Sequence, residues 1–439
     1  MRTMKNKKRS IIIGLDGAPF DLLKDLSEKE VMPNTKKLIS EGTFRKMQSS
    51  IPEISSVAWS SIITGANPAE HGIFGFTELS LNTYRLSFPN FSHLKMPPFW
   101  ERDTDTRHII MNVPSTYPAK KLNGVLISGF VALELEKAVY PNSMIPYLKD
   151  MNYKIDVDSN KAHQSMELFI KDLNSTNEAR ISACRYLWNQ DWNTFMFVFT
   201  GTDRLMHFLW DAYQDENHRF HREFNDYFRR IDEIIGEITY KMADEDNLIM
   251  LSDHGFEKLE KDVYINCILE REGFLKFSTS HSGEKTSSEV NFSHIDYGTR
   301  AFALDPARIY INLKDRYPKG DTSFRDKEYV LRDLEDLFKN LEINSKPVIK
   351  HIYRKEEIYR GPYLEWAPDL VLVGDEGFNL KASLSSQDIY SKGIFTGKHN
   401  QHDAFLLVNK KCGNDIIPEY PNVCDVIGIM DKLNGGINE

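Results

Sequence analysis

The feature that most constrains this chain is a set of short, mostly apolar runs, each leading into a polar residue. Ile11–Leu15, Ile109–Val113, Val125–Ser128, Thr194–Thr200 and Asn247–Ser252 are too short for helices and too apolar for strands with one wet face. Runs of this kind read as strands buried on both faces. Between them lie stretches with apolar residues at helical spacing: Asn34–Glu41, closed by Gly42, then His163–Asn189 and His218–Met242. The last carries a stripe of Phe220, Phe224, Tyr227, Phe228, Ile231, Ile234, Ile235 and Ile238, which reads as core packing. Strands alternating with helices predict an α/β fold, a mostly parallel sheet sandwiched by helices. Such sheets gather ligand chemistry on the loops at the carboxyl ends of their strands.

Further on, the pattern predicts a strand at Arg308–Leu313, a helix near Lys327–Asn340, and strands at Pro347–Tyr353 and Asp369–Val373. No internal repeat is visible. The whole of 1–439 reads as a single domain, with a smaller cap or insertion at about 265–365. The Ser-rich stretch 278–293 reads as an exposed loop. A chain of 439 residues, 41% of them hydrophobic, can bury the large core that this arrangement needs.

Composition narrows the partners. The net charge of −9 speaks against nucleic acid as an obligate partner, because proteins of that class present a basic face. No apolar run approaches the roughly 20 residues that span a bilayer. The basic start, Met1 to Ser10, runs into a buried strand and not into a signal-peptide core, so the expected compartment is the cytoplasm. Cys184, Cys267, Cys412 and Cys424 lack the spacing of a zinc ribbon or a disulfide framework and read as structural thiols.

The polar residues at the strand ends are the candidates for chemistry. Asp16 closes the run IIIGL. Asp203 follows the strand of Phe195–Phe199, and His207 stands four residues later, on the same helix face. Asp253 and His254 follow Asn247–Ser252, and His399 precedes the apolar run Ala404–Val408. A lone Asp here is ordinarily a cap or turn residue. Three such aspartates with three histidines make two N/O donor sets of the kind that suit Zn²⁺, with Mn²⁺ as the alternative. Ser55 and Ser56 open a short helix, where the dipole and backbone N–H groups favour phosphate oxygens. Either could also be a plain N-cap.

With these motifs the chain resembles the alkaline phosphatase superfamily, in its branch of type I phosphodiesterases and nucleotide pyrophosphatases. The resemblance rests on Asp16–Gly17, on SVAWSSIITGANPAEHGIFGF (Ser56 to Phe76) and on NVPSTYPAKKLNGVLISGF (Asn112 to Phe130). It continues through TGTDRLMHFLWD (Thr200 to Asp211), SDHGF, Arg308 to Gly320, Ala367 to Val373 and GKH. It implies an alkaline phosphatase-like fold and two divalent metal ions. Asp203, His207 and His399 would hold one ion, and Asp16, Asp253 and His254 the other. The GxH spacing selects His399 over His402. The resemblance also selects Ser55 over Ser56, both as nucleophile and among the metal-contacting side chains, because the nucleophile stands nine residues before the Thr of the TG pair. A covalent Ser55 intermediate and a small phosphoester or nucleotide substrate follow from it.

One departure is plain: nucleotide pyrophosphatases usually carry Asn three residues after the nucleophile, where this chain has Ala58. A phosphomonoesterase or phosphotransferase of the same superfamily is the alternative, and a non-catalytic binding protein is a more distant one. A sulfatase would need Pro and Arg where Val57 and Trp59 stand. Trp59, Phe74 and Phe76 could stack on a base, though packing explains each. Tyr297 and Arg300, beside the Ser-rich loop, read equally well as surface residues. Nothing in the sequence sets an oligomeric state.

Overall fold

The computed structural model describes residues 8–80, 82–278, 291–384 and 388–435. Most of the expected Ser-rich loop, and the start of the basic N-terminus, lie outside the described residues. The chain divides into two compact units, 1–66 with 90–256 and 399–439, and 67–89 with 257–398. The expected insertion at about 265–365 falls within the second.

The first unit is built on an eight-stranded sheet. In chain order its strands are β1 (Ser10–Leu15), β2 (Thr43–Met47), β3 (His108–Val113), β4 (Gly124–Ser128), β5 (Val139–Tyr140), β6 (Thr194–Phe199), β7 (Asn247–Leu251) and β8 (Ala404–Val408). Their spatial order is β2-β8-β7-β1-β6-β3-β4-β5. The five central strands, β7 to β4, run parallel. The outer pairings, β2 with β8, β8 with β7 and β4 with β5, are antiparallel. Every residue of β1, β3, β6, β7 and β8 is buried, which is why their sequences are continuous apolar runs with no alternation.

Successive side chains of a strand point to opposite faces, so each face has its own packing. Ile12, Met196 and Ile249 share one register across β1, β6 and β7. They pack in one cluster with Trp59, Ile62 and Ile63 of helix α1 (Ser55–Thr64). Two long helices also belong to this unit, α2 (Met166–Trp188) and α3 (His221–Lys241), with α3 burying the predicted stripe from Phe224 to Ile238. The region expected as one helix from His163 is divided: a short helix covers Asn160–Gln164, and Ser165 restarts the chain as the N-cap of α2, accepting a hydrogen bond from Leu168 N. Ser at that position competes for backbone donors and ends one helix while opening the next.

The second unit has its own core. Strands Ala301–Leu304, Arg308–Ile311, Leu370–Gly374 and Ile349–Arg354 lie side by side in an antiparallel sheet, with the helix Lys327–Lys339 in the same unit. Phe302, Ile309, Leu334, Phe338 and Leu370 are fully buried in this core. None of the four cysteines forms a disulfide. Among the described residues no helix is long and apolar enough to cross a membrane.

Glycine at position 14 is a packing requirement. A Cβ there would lie 2.5 Å from the Trp59 ring, whereas one on Gly428, within the helix Val426–Leu433, would meet nothing within 4 Å. Gly14→Ala should therefore destabilise by about 1–3 kcal/mol through overpacking. Gly428→Ala should stabilise by about 0.4–1 kcal/mol through the unfolded chain and helix propensity. Urea denaturation of the two variants should give shifts of opposite sign.

Candidate metal centre

The order of the sheet brings the polar strand ends together. β7, β1 and β6 are neighbours and parallel, so Asp253 and His254 after β7, Asp16 after β1, and the helix that follows β6 share one edge. β8 runs antiparallel beside β7, so the residues that precede it lie at that edge as well, and His399 is among them. Asp203 and His207 sit one turn apart near the start of the helix Gly201–Gln214. Thr202 Oγ1 fixes that start by donating to the carbonyls of Asp16 (2.6 Å) and Phe199 (2.8 Å). Gly17, at φ 71°, turns the chain behind Asp16 in the left-handed region where glycine is unstrained.

Two trios result. In the first, His399 Nε2 lies 3.0 Å from both Asp203 Oδ1 and His207 Nε2, and His207 Nε2 lies 3.4 Å from Asp203 Oδ1. In the second, His254 Nε2 is 3.4 Å from Asp253 Oδ2 and 3.8 Å from Asp16 Oδ1. Within each trio the candidate donor atoms all lie within 4.8 Å of one another. The rings of His254 and His399 stack with centroids 3.7 Å apart, so the trios adjoin. His402, the rival to His399, is exposed and belongs to neither trio.

Backbone carbonyls orient two of the imidazoles. His399 Nδ1 is 3.0 Å from Glu53 O, and His254 Nδ1 is 3.1 Å from Gly255 O. A carbonyl only accepts, so Nδ1 carries the hydrogen in each ring and Nε2 faces the acids. This is the tautomer that an Nε2 ligand requires.

Ser55 stands at this junction. It is the first residue of α1, and its Oγ lies 3.3 Å from His254 Nε2 and 3.4 Å from Asp16 Oδ1. Ser56 Oγ, by contrast, is buried without a hydrogen-bond partner. Ala58 is fully buried and offers no side-chain donor.

The electrostatics fit a site for cations. Burial, followed by the charges of Asp253 and Asp203, pushes Asp16 well above the usual carboxylate range. Burial likewise raises Asp253 to about 6. Asp253 Oδ1 accepts from Gly17 N at 3.0 Å, but Oδ2 is buried and accepts no hydrogen bond. Burial and the neighbouring His399 hold His254 well below its ordinary value, as a neutral ring. Burial would raise Asp203, but His207 and His399 outweigh it and bring it down. Buried acids, one with an orphaned oxygen, beside imidazoles whose Nε2 atoms face them form a donor set that divalent ions would complete.

Several contacts here go beyond the roles read from the sequence. Trp59 Nε1 donates to Asp16 Oδ2 at 3.1 Å, so this tryptophan holds a site residue while its ring packs. Its position four residues after Ser55, on the same helix face, was the available clue. Phe256 stands 4.8 Å from the His207 ring and 5.1 Å from that of His399. Arg204 reaches Asp203 Oδ2 at 3.4 Å. Phe74, Tyr297 and Arg300 belong to the second unit: Phe74 is buried edge-on against Tyr359, Tyr297 is exposed, and Arg300 pairs with Asp333.

The chain is similar in fold to phosphonoacetate hydrolase from Sinorhizobium meliloti 1021 in complex with phosphonoacetate, with 17% identity, a TM-score of 0.65, and 98% of this chain and 96% of that one covered. It is also similar to murine ectonucleotide pyrophosphatase/phosphodiesterase 5, an inactive variant in complex with AMP, with 13% identity, a TM-score of 0.56 and the same coverage. The human form of the latter aligns at 12% identity with a TM-score of 0.55, again over 98% and 96% of the two chains. No curated protein sequence matches the chain significantly. Residues 10–402 match the type I phosphodiesterase / nucleotide pyrophosphatase family. That span holds both trios and Ser55, and the chain belongs to this family of metal-dependent phosphoester hydrolases.

Proposed function

We propose that this protein is a two-cation phosphodiesterase of the nucleotide pyrophosphatase type, acting through a covalent Ser55 intermediate. Asp203, His207 and His399 would hold one ion, and Asp16, Asp253 and His254 the other, with Zn²⁺ the metal that this donor set suits best and Mn²⁺ the alternative. The observation that carries the reading is the position of Ser55 Oγ, 3.3 Å from His254 and 3.4 Å from Asp16, beside a second trio stacked on the first. Bound divalent ions supply the positive charge that lowers a hydroxyl pKa and offsets charge on phosphoryl oxygens.

The remaining steps belong to the chain. Ser55 Oγ attacks phosphorus in line with the leaving group, the bond to the leaving oxygen breaks, and water then hydrolyses the phosphoryl-Ser55 ester. The first turn of α1 presents backbone N–H groups and the positive end of its dipole beside the attacking oxygen, where phosphate oxygens would lie. The bound molecules named for the two structural relatives, phosphonoacetate and AMP, share a phosphorus oxyanion, which supports a small substrate of that class.

Charge favours a diester over a monoester. A monoester dianion calls for an extra cation or guanidinium at the site. Arg204 touches the centre, but it is paired with Asp156 at 2.8 Å and with Asp203 at 3.4 Å, so its charge is met within the protein.

Bis(p-nitrophenyl) phosphate should therefore be turned over with a higher kcat/KM than p-nitrophenyl phosphate in the presence of Zn²⁺ or Mn²⁺. The reverse order would favour the monoesterase. Ser55→Ala should lose roughly 10³-fold or more of kcat while keeping its metal. Full turnover by the metal-loaded variant would refute the nucleophile. Asp253→Asn should lose about one ion per chain, read by elemental analysis after dialysis; unchanged stoichiometry would refute that ligand.

A further inference from the structure

Asp203 divides its two carboxylate oxygens between different partners. Oδ1 faces His399 at 3.0 Å and His207 at 3.4 Å, while Oδ2 receives Arg204 Nη1 at 3.4 Å. Arg204 is the next residue on the same helix, and adjacent helical residues ordinarily point apart. Here the guanidinium is turned back towards its neighbour and held from two other stretches of chain. Nη2 donates to Asp156 Oδ2 at 2.8 Å, and Cζ sits 4.1 Å over the ring of Phe130, in the loop after β4.

Asp156 is itself anchored. Arg180, 3% exposed on α2, donates to the carbonyls of Lys154 (3.3 Å) and Ile155, approaches Asp156 Oδ1 at 4.0 Å, and donates to Thr200 Oγ1 at 2.6 Å. Thr200 immediately precedes the helix that carries Asp203 and His207. The path Arg180–Asp156–Arg204–Asp203 thus ties both ends of a short relay to the same helix start. The second trio is held differently, by the N–H groups of Gly17 and Trp59.

We infer that Arg204 is a positioning residue for the Asp203–His207–His399 trio, with Asp156 holding its guanidinium in place. A carboxylate committed at both oxygens cannot rotate its ligand oxygen away from the two imidazoles. Two separate nitrogens of one planar fork make the two contacts, which a lysine ammonium on a flexible stem cannot reproduce. The inference rests on the reading that the trios hold cations, and it predicts an effect on one site alone.

The test uses the full chain as wild type, Arg204→Gln, Arg204→Lys and Asp156→Asn. Zn²⁺ is titrated in chelator buffer to give stoichiometry and both dissociation constants, alongside melting of chelator-treated protein and KM for bis(p-nitrophenyl) phosphate. Wild type should bind two ions. Arg204→Gln should weaken one of them about 10- to 100-fold and leave the other within about twofold. Arg204→Lys should fail to restore it, and Asp156→Asn should weaken the same ion to a smaller degree. KM at saturating Zn²⁺ should not move. Unchanged or tighter binding in Arg204→Gln overturns the inference. So does equal weakening at both sites with a lower melting temperature, which marks a general structural role. A raised KM with both constants unchanged overturns it in favour of substrate contact. Wild type that binds no ions overturns the two-cation reading and this inference together, whereas normal wild-type loading with unaffected variants overturns only the role of Arg204.

Discussion

The crowding of Asp16, Asp203 and Asp253 at the ends of three adjacent strands is the constraint on which the rest of the structure depends. All three are buried, and their mutual repulsion and desolvation push the first and last towards the protonated form. An uncompensated set of this kind opposes folding, because buried charge without a partner costs several kcal/mol per group. The chain tolerates it because the surroundings are rigid: the strands below are paired on both sides, and Trp59, Gly17 N–H and Arg204 each take one carboxylate oxygen. Such an arrangement keeps a high negative potential fixed in place, which is the condition for tight and specific binding of divalent ions.

That crowding also explains what was legible in the sequence. A parallel sheet buried on both faces must be written as unbroken apolar runs, so β1, β3, β4, β6 and β7 could be read within a residue of their ends. Chemistry concentrated at strand ends must follow those runs, and for that reason Asp16, Asp203, Asp253 and His254 stand out in the sequence itself. His399 precedes its strand, so the general rule for parallel sheets did not reach it. Its place before the apolar run Ala404–Val408 marked it, the resemblance set it above His402, and the antiparallel direction of β8 supplies the physical reason.

What stayed illegible is set by contacts between distant segments and by backbone atoms. Glu53 O and Gly255 O orient His399 and His254, yet a carbonyl belongs to every residue and leaves no mark in the sequence. Arg204 next to Asp203 reads as an ordinary solvated charge until Asp156 and Phe130, more than forty residues away, close around it. The joining of 67–89 to 257–398 in one unit is likewise a long-range event: Tyr84 bonds Asn312 at 2.8 Å, and the Arg308 guanidinium donates to Thr77 O at 2.7 Å. Composition does not change where the chain leaves and re-enters that unit, so neither 67–89 nor the ends of 257–398 are marked in the sequence.

The two trios differ in how their charge is balanced, and this bears on how the centre works. One joins a single carboxylate to two imidazoles and adds a contact from Arg204; the other joins two carboxylates to one imidazole and receives N–H donors from Gly17 and Trp59. Ser55 Oγ lies against the second, more negative trio, which would disfavour an alkoxide on its own through like-charge repulsion. On the proposed reading a serine in that position ionises only if positive charge outweighs the acids, so the burial that makes the acids costly would also keep Ser55 unreactive until the site is loaded. On the proposed reading, activation of the nucleophile and relief of the buried acids are one electrostatic event, and the hydroxyl is protected from adventitious chemistry by the same carboxylates that prepare it.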